Sequence, residues 1–209
     1  MIKIKNEIIS GWSMAIKGMR NPMNSWDRSD SSWFYEEDRE RIHIGPIDYF
    51  LMVKLAKAGS EHAKYRRMIS VWVDITAPLY FWKEFDTYKI GTVSNSCSTM
   101  HKIHSKEFTI DDFSHDHLSN DNWKHELELI VSWLNNARQA YLDTESKDHW
   151  WHMIQLLPSS YNQRRTIMLN YEVLSNMYHQ RKNHKLDEWR DFCQWIKTLP
   201  YSELITVGG

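Results

Sequence analysis

The sequence predicts an α+β protein in which many helices surround a small sheet. Three observations carry that prediction. Ile69, Val71, Val73 and Ile75 alternate with Ser70, Trp72 and Asp74, the period of a half-buried strand. Helical spacing bounded by start and stop signals recurs along most of the chain. The 209 residues, 42% of them hydrophobic, suit one core, so residues 1–209 read as a single domain.

Taken in order, Ile2 and Ile4 alternate with Lys3 and Lys5, which marks a short edge strand. Ser10 to Met19 reads as a first helix, stopped by Gly18 and the Arg20-Asn21-Pro22 turn. Asn21 to Arg41 is rich in Ser, Asp, Asn and Trp with little period, either an ordered loop or a flexible lid. Pro46 to Ala58 is a helix, with Pro46 in the first turn and Gly59 closing it. Ser60 can cap a short helix through Arg67. After the Ile69–Ile75 strand, Thr76-Ala77-Pro78 breaks the run and opens a helix to about Lys89. Gly91 to Asp121 is irregular and polar. Further helices are expected over 122–142, 146–157, 161–180 and 186–197, the last but one on the spacing of Ile167, Tyr171, Leu174 and Tyr178.

Composition narrows the function. With 26 Lys+Arg against 27 Asp+Glu the net charge is −1, and no global basic field points to a nucleic acid polymer or a membrane surface. No window reaches the ~18 apolar residues of a membrane span, and no signal peptide precedes the first elements. Two cysteines, Cys97 and Cys193, are too few for a disulfide framework, and a reducing, cytoplasmic setting is expected. The chain has 11 Trp and 10 Tyr, residues common in flat-ligand pockets, subunit interfaces and aromatic cores.

Three features could carry chemistry. Histidines gather at His101, His104, His115, His117 and His125, but in a loop-like stretch where no carboxylate or thiol completes a metal set. Asn170 and Arg181 are 11 residues apart, about three helical turns, so on one helix they share a face some 16 Å long. They would serve one extended ligand or two adjoining ones, or simply belong to a solvated, basic helix end. Lys64, Arg66, Arg67, Arg164 and Arg165 are candidates for phosphate contacts or for a solvated face.

The stretch Leu157-Pro158, Asn170, Leu174, Asn176, Arg181 and His184 resembles the C-terminal helix motif of the flavin-dependent thymidylate synthases. Ala77 to Phe85 is similar to the helix that leads into that family's signature, and Glu61-His62 falls where the family keeps a histidine near the flavin. The resemblance spans about residues 45 to 200, in order. The signature itself reads Arg-His-Arg, two residues, Ser, one residue, Asn, two residues, Ser, one residue, Arg. Here those places hold Thr87, Tyr88, Lys89, Thr92, Ser94, Cys97 and Thr99. A one-residue slip would put Asn95 and Ser98 on the Asn and Ser places but lose the cation at Lys89.

The resemblance implies a small, mostly antiparallel sheet flanked by several long helices, the thymidylate synthase-complementing-protein-like fold, and a homotetramer. It implies FAD, with NADPH and methylenetetrahydrofolate as co-substrates, and a pyrimidine deoxynucleotide as substrate. His62, Lys89, Thr92 and Asn170 then fall to the cofactor, and Glu84, Ser94, Asn95 and Arg181 to the substrate. Arg181 matches a residue that contacts the pyrimidine, where a guanidinium would hold enolate-like charge. Cys97 stands in place of a serine beside the substrate. It is either a thiolate nucleophile for the pyrimidine C6 or a small buried residue. Three phosphate-holding elements differ: the signature arginines, a Gln replaced by Glu84, and an Arg replaced by Ile154. Threonine cannot replace the bidentate grip of arginine on phosphate. Two functions are therefore expected: FAD-dependent transfer of a one-carbon unit to C5 of a pyrimidine deoxynucleotide, with an altered substrate or product, or a non-catalytic homologue that binds a nucleotide or a protein.

Overall fold

Strand β4 (Ser70–Pro78) shows the alternation at full strength: Val71, Val73, Ile75 and Ala77 are buried while Trp72 faces out. The computed structural model to which it belongs describes residues 2–37 and 39–208, the side chain of residue 39 excepted. A four-stranded sheet runs in the order β1 (Lys3–Ser10), β4, β6 (Asn162–Asn170), β5 (Val93–Ser96). β1 lies at its edge, as the Ile2/Ile4 alternation predicted. The described helices are α1 (Trp12–Arg20), α2 (Pro46–Lys57), α3 (Leu79–Phe85), α4 (Asp121–Thr144), α5 (Lys147–Leu156), α6 (Tyr171–Arg181), α7 (Asp187–Thr198) and the single turn α8 (Glu203–Thr206). The α+β class expected from sequence is the class observed. Among the described residues, no helix is long and apolar enough to cross a membrane.

Three expectations are corrected. Residues 161–180 are not one helix. Gln163, Ile167 and Leu169 are buried and Arg164 and Thr166 exposed, the period of a strand, and the helix starts only after Asn170. The 4-3-4 spacing that suggested a longer helix joins one strand residue to three helical ones. Residues 21–41 are neither loop nor lid alone: two 3-10 turns, Asn21–Met23 and Trp26–Arg28, precede an antiparallel hairpin of β2 (Ser32–Glu36) and β3 (Arg39–His43), with Trp33 opposite Ile42 and Tyr35 opposite Glu40. Every residue of β2 is exposed, so no inside/outside alternation marked it. Ser60 caps nothing; a 3-10 turn, Lys64–Met68, starts from Ala63.

The chain forms two compact units, and strands β4 and β6 each contribute residues to both. One unit is built mainly from Thr76–Asp86 and Ser96–Arg165. Its core is Ile103, Phe108, Phe113, Leu127, Leu134 and Met153, the inward face of α4 and α5 closed by the loop before them. Asn135 of α4 binds both the N–H and the C=O of Phe108, at 2.8 and 2.9 Å, and so fixes that loop as a neighbouring strand would. Arg165, expected on a solvated or phosphate-binding face, instead lies 4.3 Å above the Trp82 ring and pairs with Asp86 at 2.6 Å.

The other unit comprises Ile4–Ile75, Thr87–Asn95 and Thr166–Gly209. α6 is its central helix, packed by the 64–68 turn, α7 and α8. Asn170 caps it: its Oδ1 accepts from the N–H groups of Glu172 (3.1 Å) and Val173 (3.0 Å). Arg66 is buried too, donating to the Val207 carbonyl at 2.8 Å and standing 3.7 Å from Glu172, which ties α6 to the C-terminal turn. It is a buried arginine, not a solvated one.

A carboxylate laces the hairpin to the first helix. Glu40 of β3 accepts from the N–H groups of Gly11 (2.6 Å), Trp12 (3.0 Å) and Ser13 (2.9 Å), three of the orphan donors at the start of α1. Gly11 has φ +92°, and a Cβ there would meet the Met68 carbonyl at 2.2 Å, so only glycine serves. Burial pushes the Glu40 carboxyl up, but the hydrogen bonds from Ser13, Gly11 and Trp12 outweigh it and hold the pKa below its ordinary value. A depressed carboxylate stabilises the fold above its unfolded pKa, about 4, and that contribution is lost as pH falls through the lower folded value. Glu40→Gln should therefore lower the urea midpoint near neutrality and flatten its acid-side pH dependence. Parallel slopes for variant and wild type would reject the assignment.

Candidate functional site

The second unit carries two candidate features, one along α6 and one against α2. The first is a strap, Thr87–Asn95, that runs along α6. At one end the Tyr88 phenol accepts from Arg181 Nε at 2.8 Å and donates to Gln180 Oε1 at 2.9 Å. At the other, Gly91 (φ +76°) passes so close to the start of α6 that a Cβ would lie 3.0 Å from Val173 and 3.3 Å from the Asn170 amide nitrogen. Asn170 and Arg181, expected on one helical face, thus stand at opposite ends of α6, Asn170 as the cap rather than within the helix. The guanidinium lies 4.8 Å over the buried Trp189 ring, which belongs to α7. His184 presents its ring 6.3 Å from the same tryptophan. Thr92 is half-buried with a hydroxyl that has no protein partner, an orphaned polar atom of the kind a ligand or water satisfies. Lys89, Ser94 and Asn95 are exposed.

The second feature is a cavity of about 950 Å3, at the upper end of the range for small-molecule sites. Its walls are the end of α1, the two 3-10 turns, one face of α2 and residues 61–68. His62 lines it and is exposed there. Arg28, Lys54, Lys64 and His62 supply cationic or protonatable groups, Asp27 and Glu61 acidic ones, and Ile47, Phe50 and Met23 exposed apolar surface. Arg20 of the wall is committed elsewhere: it is buried against Asp48 at 2.6 Å and donates to the Ser25 and Arg28 carbonyls, each at 3.1 Å. Asp48 in turn accepts from the hydroxyls of Ser29 (2.7 Å) and Ser31 (2.6 Å). Burial raises the Asp48 pKa, but those hydroxyls and Arg20 bring it below the ordinary value. Asp30 closes the knot by accepting from the N–H groups of Ile47 and Asp48 at the start of α2. Gly45 makes that possible, since a Cβ there would fall 2.2 Å from the Asp30 carboxyl carbon.

The cavity's mix of cationic and apolar walls suits a large planar ligand that carries phosphate. Arg28, Lys54, His62 and Lys64 are the residues able to hold its anionic part, and Phe50 and Ile47 its rings.

The other sequence-predicted residues lie in the first unit. Glu84 is half-buried on α3. Cys97 is exposed, not buried; its N–H donates to the Arg164 carbonyl at 2.9 Å and its carbonyl accepts from Gln163. The buried thiol is Cys193, which burial pushes up to about 11. The His104 ring lies tilted against Tyr141 at 4.9 Å, and among the described residues no three His, Cys, Asp or Glu side chains gather as a metal site. Tyr88, Trp189 and the Arg20–Asp48 knot were missed by sequence reasoning. Only Tyr88 carried a signal, as an aromatic hydroxyl in a signature place.

No family model matches the sequence, and no curated protein sequence does. Solved structures do match. The flavin-dependent thymidylate synthase ThyX from Helicobacter pylori, complexed with FAD and dUMP, superposes with a TM-score of 0.69 at 15% identity, over 98% of this chain and 100% of that one. A second ThyX structure from the same organism, also with FAD and dUMP, gives 0.69 at 14% identity over 99% and 97%. The UMP/dUMP methylase PolB from Streptomyces cacaoi, bound with 5-Br dUMP, gives 0.62 at 12% identity over 100% and 95%. Over almost its whole length, then, this chain has a ThyX-like fold.

Proposed function

We propose that the chain transfers a one-carbon unit to C5 of a pyrimidine deoxynucleotide, with FAD as cofactor and NADPH and methylenetetrahydrofolate as co-substrates, as a homotetramer. The observation that carries this reading is the strap laid along α6, with Arg181 and Asn170 at its two ends, in a chain that matches FAD- and dUMP-bound enzymes over almost its whole length. When bound, FAD supplies hydride and handles the one-carbon unit. Arg181 directs its guanidinium to a pyrimidine carbonyl and holds the negative charge that develops there when the ring is attacked. Trp189 beneath it keeps water from one face of that cation. Asn170 and Thr92 line the strap side. His62 faces the ligand from the cavity, and Lys89 supplies the one cation left in the signature. Glu84, Ser94 and Asn95 are proposed as further substrate contacts. Cys97 is proposed as a nucleophilic thiol; alkylation without loss of turnover would remove that role.

The visible spectrum of the freshly purified protein, repeated after adding FAD, tests the cofactor. Flavin bands that shift or quench on binding are the expected result, followed by tritium release from C5 of deoxyuridylate or deoxycytidylate. A colourless protein that leaves added FAD unperturbed and turns over neither nucleotide would sink the reading and favour a non-catalytic binding module on this scaffold.

A further inference from the structure

We propose that Tyr88 is the positioning residue that holds Arg181 ready for the pyrimidine, an inference that rests on the function proposed above. An arginine at the last residue of a helix has several rotatable bonds, and it loses that freedom when it grips a ligand. In this chain much of that freedom is already gone. The phenol oxygen of Tyr88 lies 2.9 Å from Gln180 Oε1 and 2.8 Å from Arg181 Nε. An amide oxygen only accepts, so the single phenol proton points to Gln180, and the phenol lone pairs are left for the Nε–H of Arg181. The direction of the contact is thereby set, and it is charge-assisted. Aromatic faces complete the clamp. The guanidinium carbon is 4.8 Å from the Trp189 ring centre and 5.6 Å from that of Tyr88, and the two rings meet edge-on at 5.9 Å. Trp189 is fully buried, so the platform under the cation does not move. The signature this stretch resembles has a histidine at the place of Tyr88, which makes the phenol a feature of this chain.

Holding a cation in one rotamer before the ligand arrives raises affinity without adding a contact to the ligand. Tyr88 therefore acts through Arg181 and only through it, and that dependence is what a thermodynamic cycle reads. Binding of deoxyuridine 5′-monophosphate, with FAD present, would be measured by calorimetry for the full chain, Tyr88→Phe, Arg181→Lys and the double variant. Tyr88→Phe keeps the ring and removes the oxygen; its Kd is expected to rise about tenfold. In the Arg181→Lys background, the same change is expected to cost less than about twofold, because the partner of the oxygen has gone. An unchanged Kd for Tyr88→Phe would overturn the inference, and so would a tenfold penalty repeated in full in the Arg181→Lys background. Failure of the wild-type chain to bind the nucleotide would overturn the proposed function and this inference together, whereas wild-type binding that ignores Tyr88→Phe overturns the inference alone. Should Tyr88→Phe not fold, Gln180→Ala replaces it. That change frees the phenol proton to turn against Arg181 and is expected to weaken binding severalfold; no weakening would overturn the inference.

Discussion

Asp48→Ala is expected to destabilise the protein by about 3–5 kcal/mol, because it leaves the Arg20 guanidinium buried without its partner. Both side chains are at least 97% buried, so water cannot take over the solvation. The loss extends beyond one pair. Asp48 also receives Ser29, Ser31 and the N–H groups of Asp30 and Ser31, so its removal unties the segment that walls the cavity. The thermal midpoint should fall by on the order of 10 °C. Replacing the pair together, Arg20→Met with Asp48→Leu, should restore much of that stability while leaving the Ser29–Ser31 loop without its acceptor. A midpoint for Asp48→Ala within a degree or two of wild type would show that the pair is not what holds this wall.

Arg181→Ala carries the second large effect. If the guanidinium stabilises charge on the pyrimidine, its loss should lower kcat/KM for tritium release from C5 of deoxyuridylate by about 100- to 1,000-fold. Stability should change far less, since the side chain is only half-buried and its stacking on Trp189 is worth about 1 kcal/mol. Arg181→Lys keeps the charge but loses the planar fork, and should recover only part of the rate. An Ala variant that turns over like wild type would remove Arg181 from the site and leave it a structural partner of Tyr88 and Trp189.

Much of the fold was legible in the amino-acid sequence. The alternation through Val71, Val73 and Ile75 gave β4, and Pro46 with Gly59 gave the limits of α2 to within two residues. Likewise α4, α5 and α7 appeared where apolar spacing put them. These are short-range signals, in which each residue's neighbours three or four positions away decide its conformation. For the same reason the sequence misled at 161–170, where Ile167 satisfies a helical period and a strand period at once, and sheet pairing decides between them.

The candidate site divides along the same line. Arg181, Asn170 and His62 could be proposed from sequence, because a motif is a local pattern. What each of them touches was decided only by the tertiary structure. Tyr88 reaches Arg181 across 93 residues of chain, and Arg20 reaches Asp48 across 28. Arg66 and Arg165, which composition alone would place in solvent or on a phosphate, are buried on Glu172 and stacked on Trp82. The physical reason is that an arginine's role depends on which carboxylates, carbonyls and rings the fold brings within about 3–5 Å of it, and those partners are distant in the chain. Periodicity determined the elements of this protein, and non-local hydrogen bonds and ring contacts determined what its cations do.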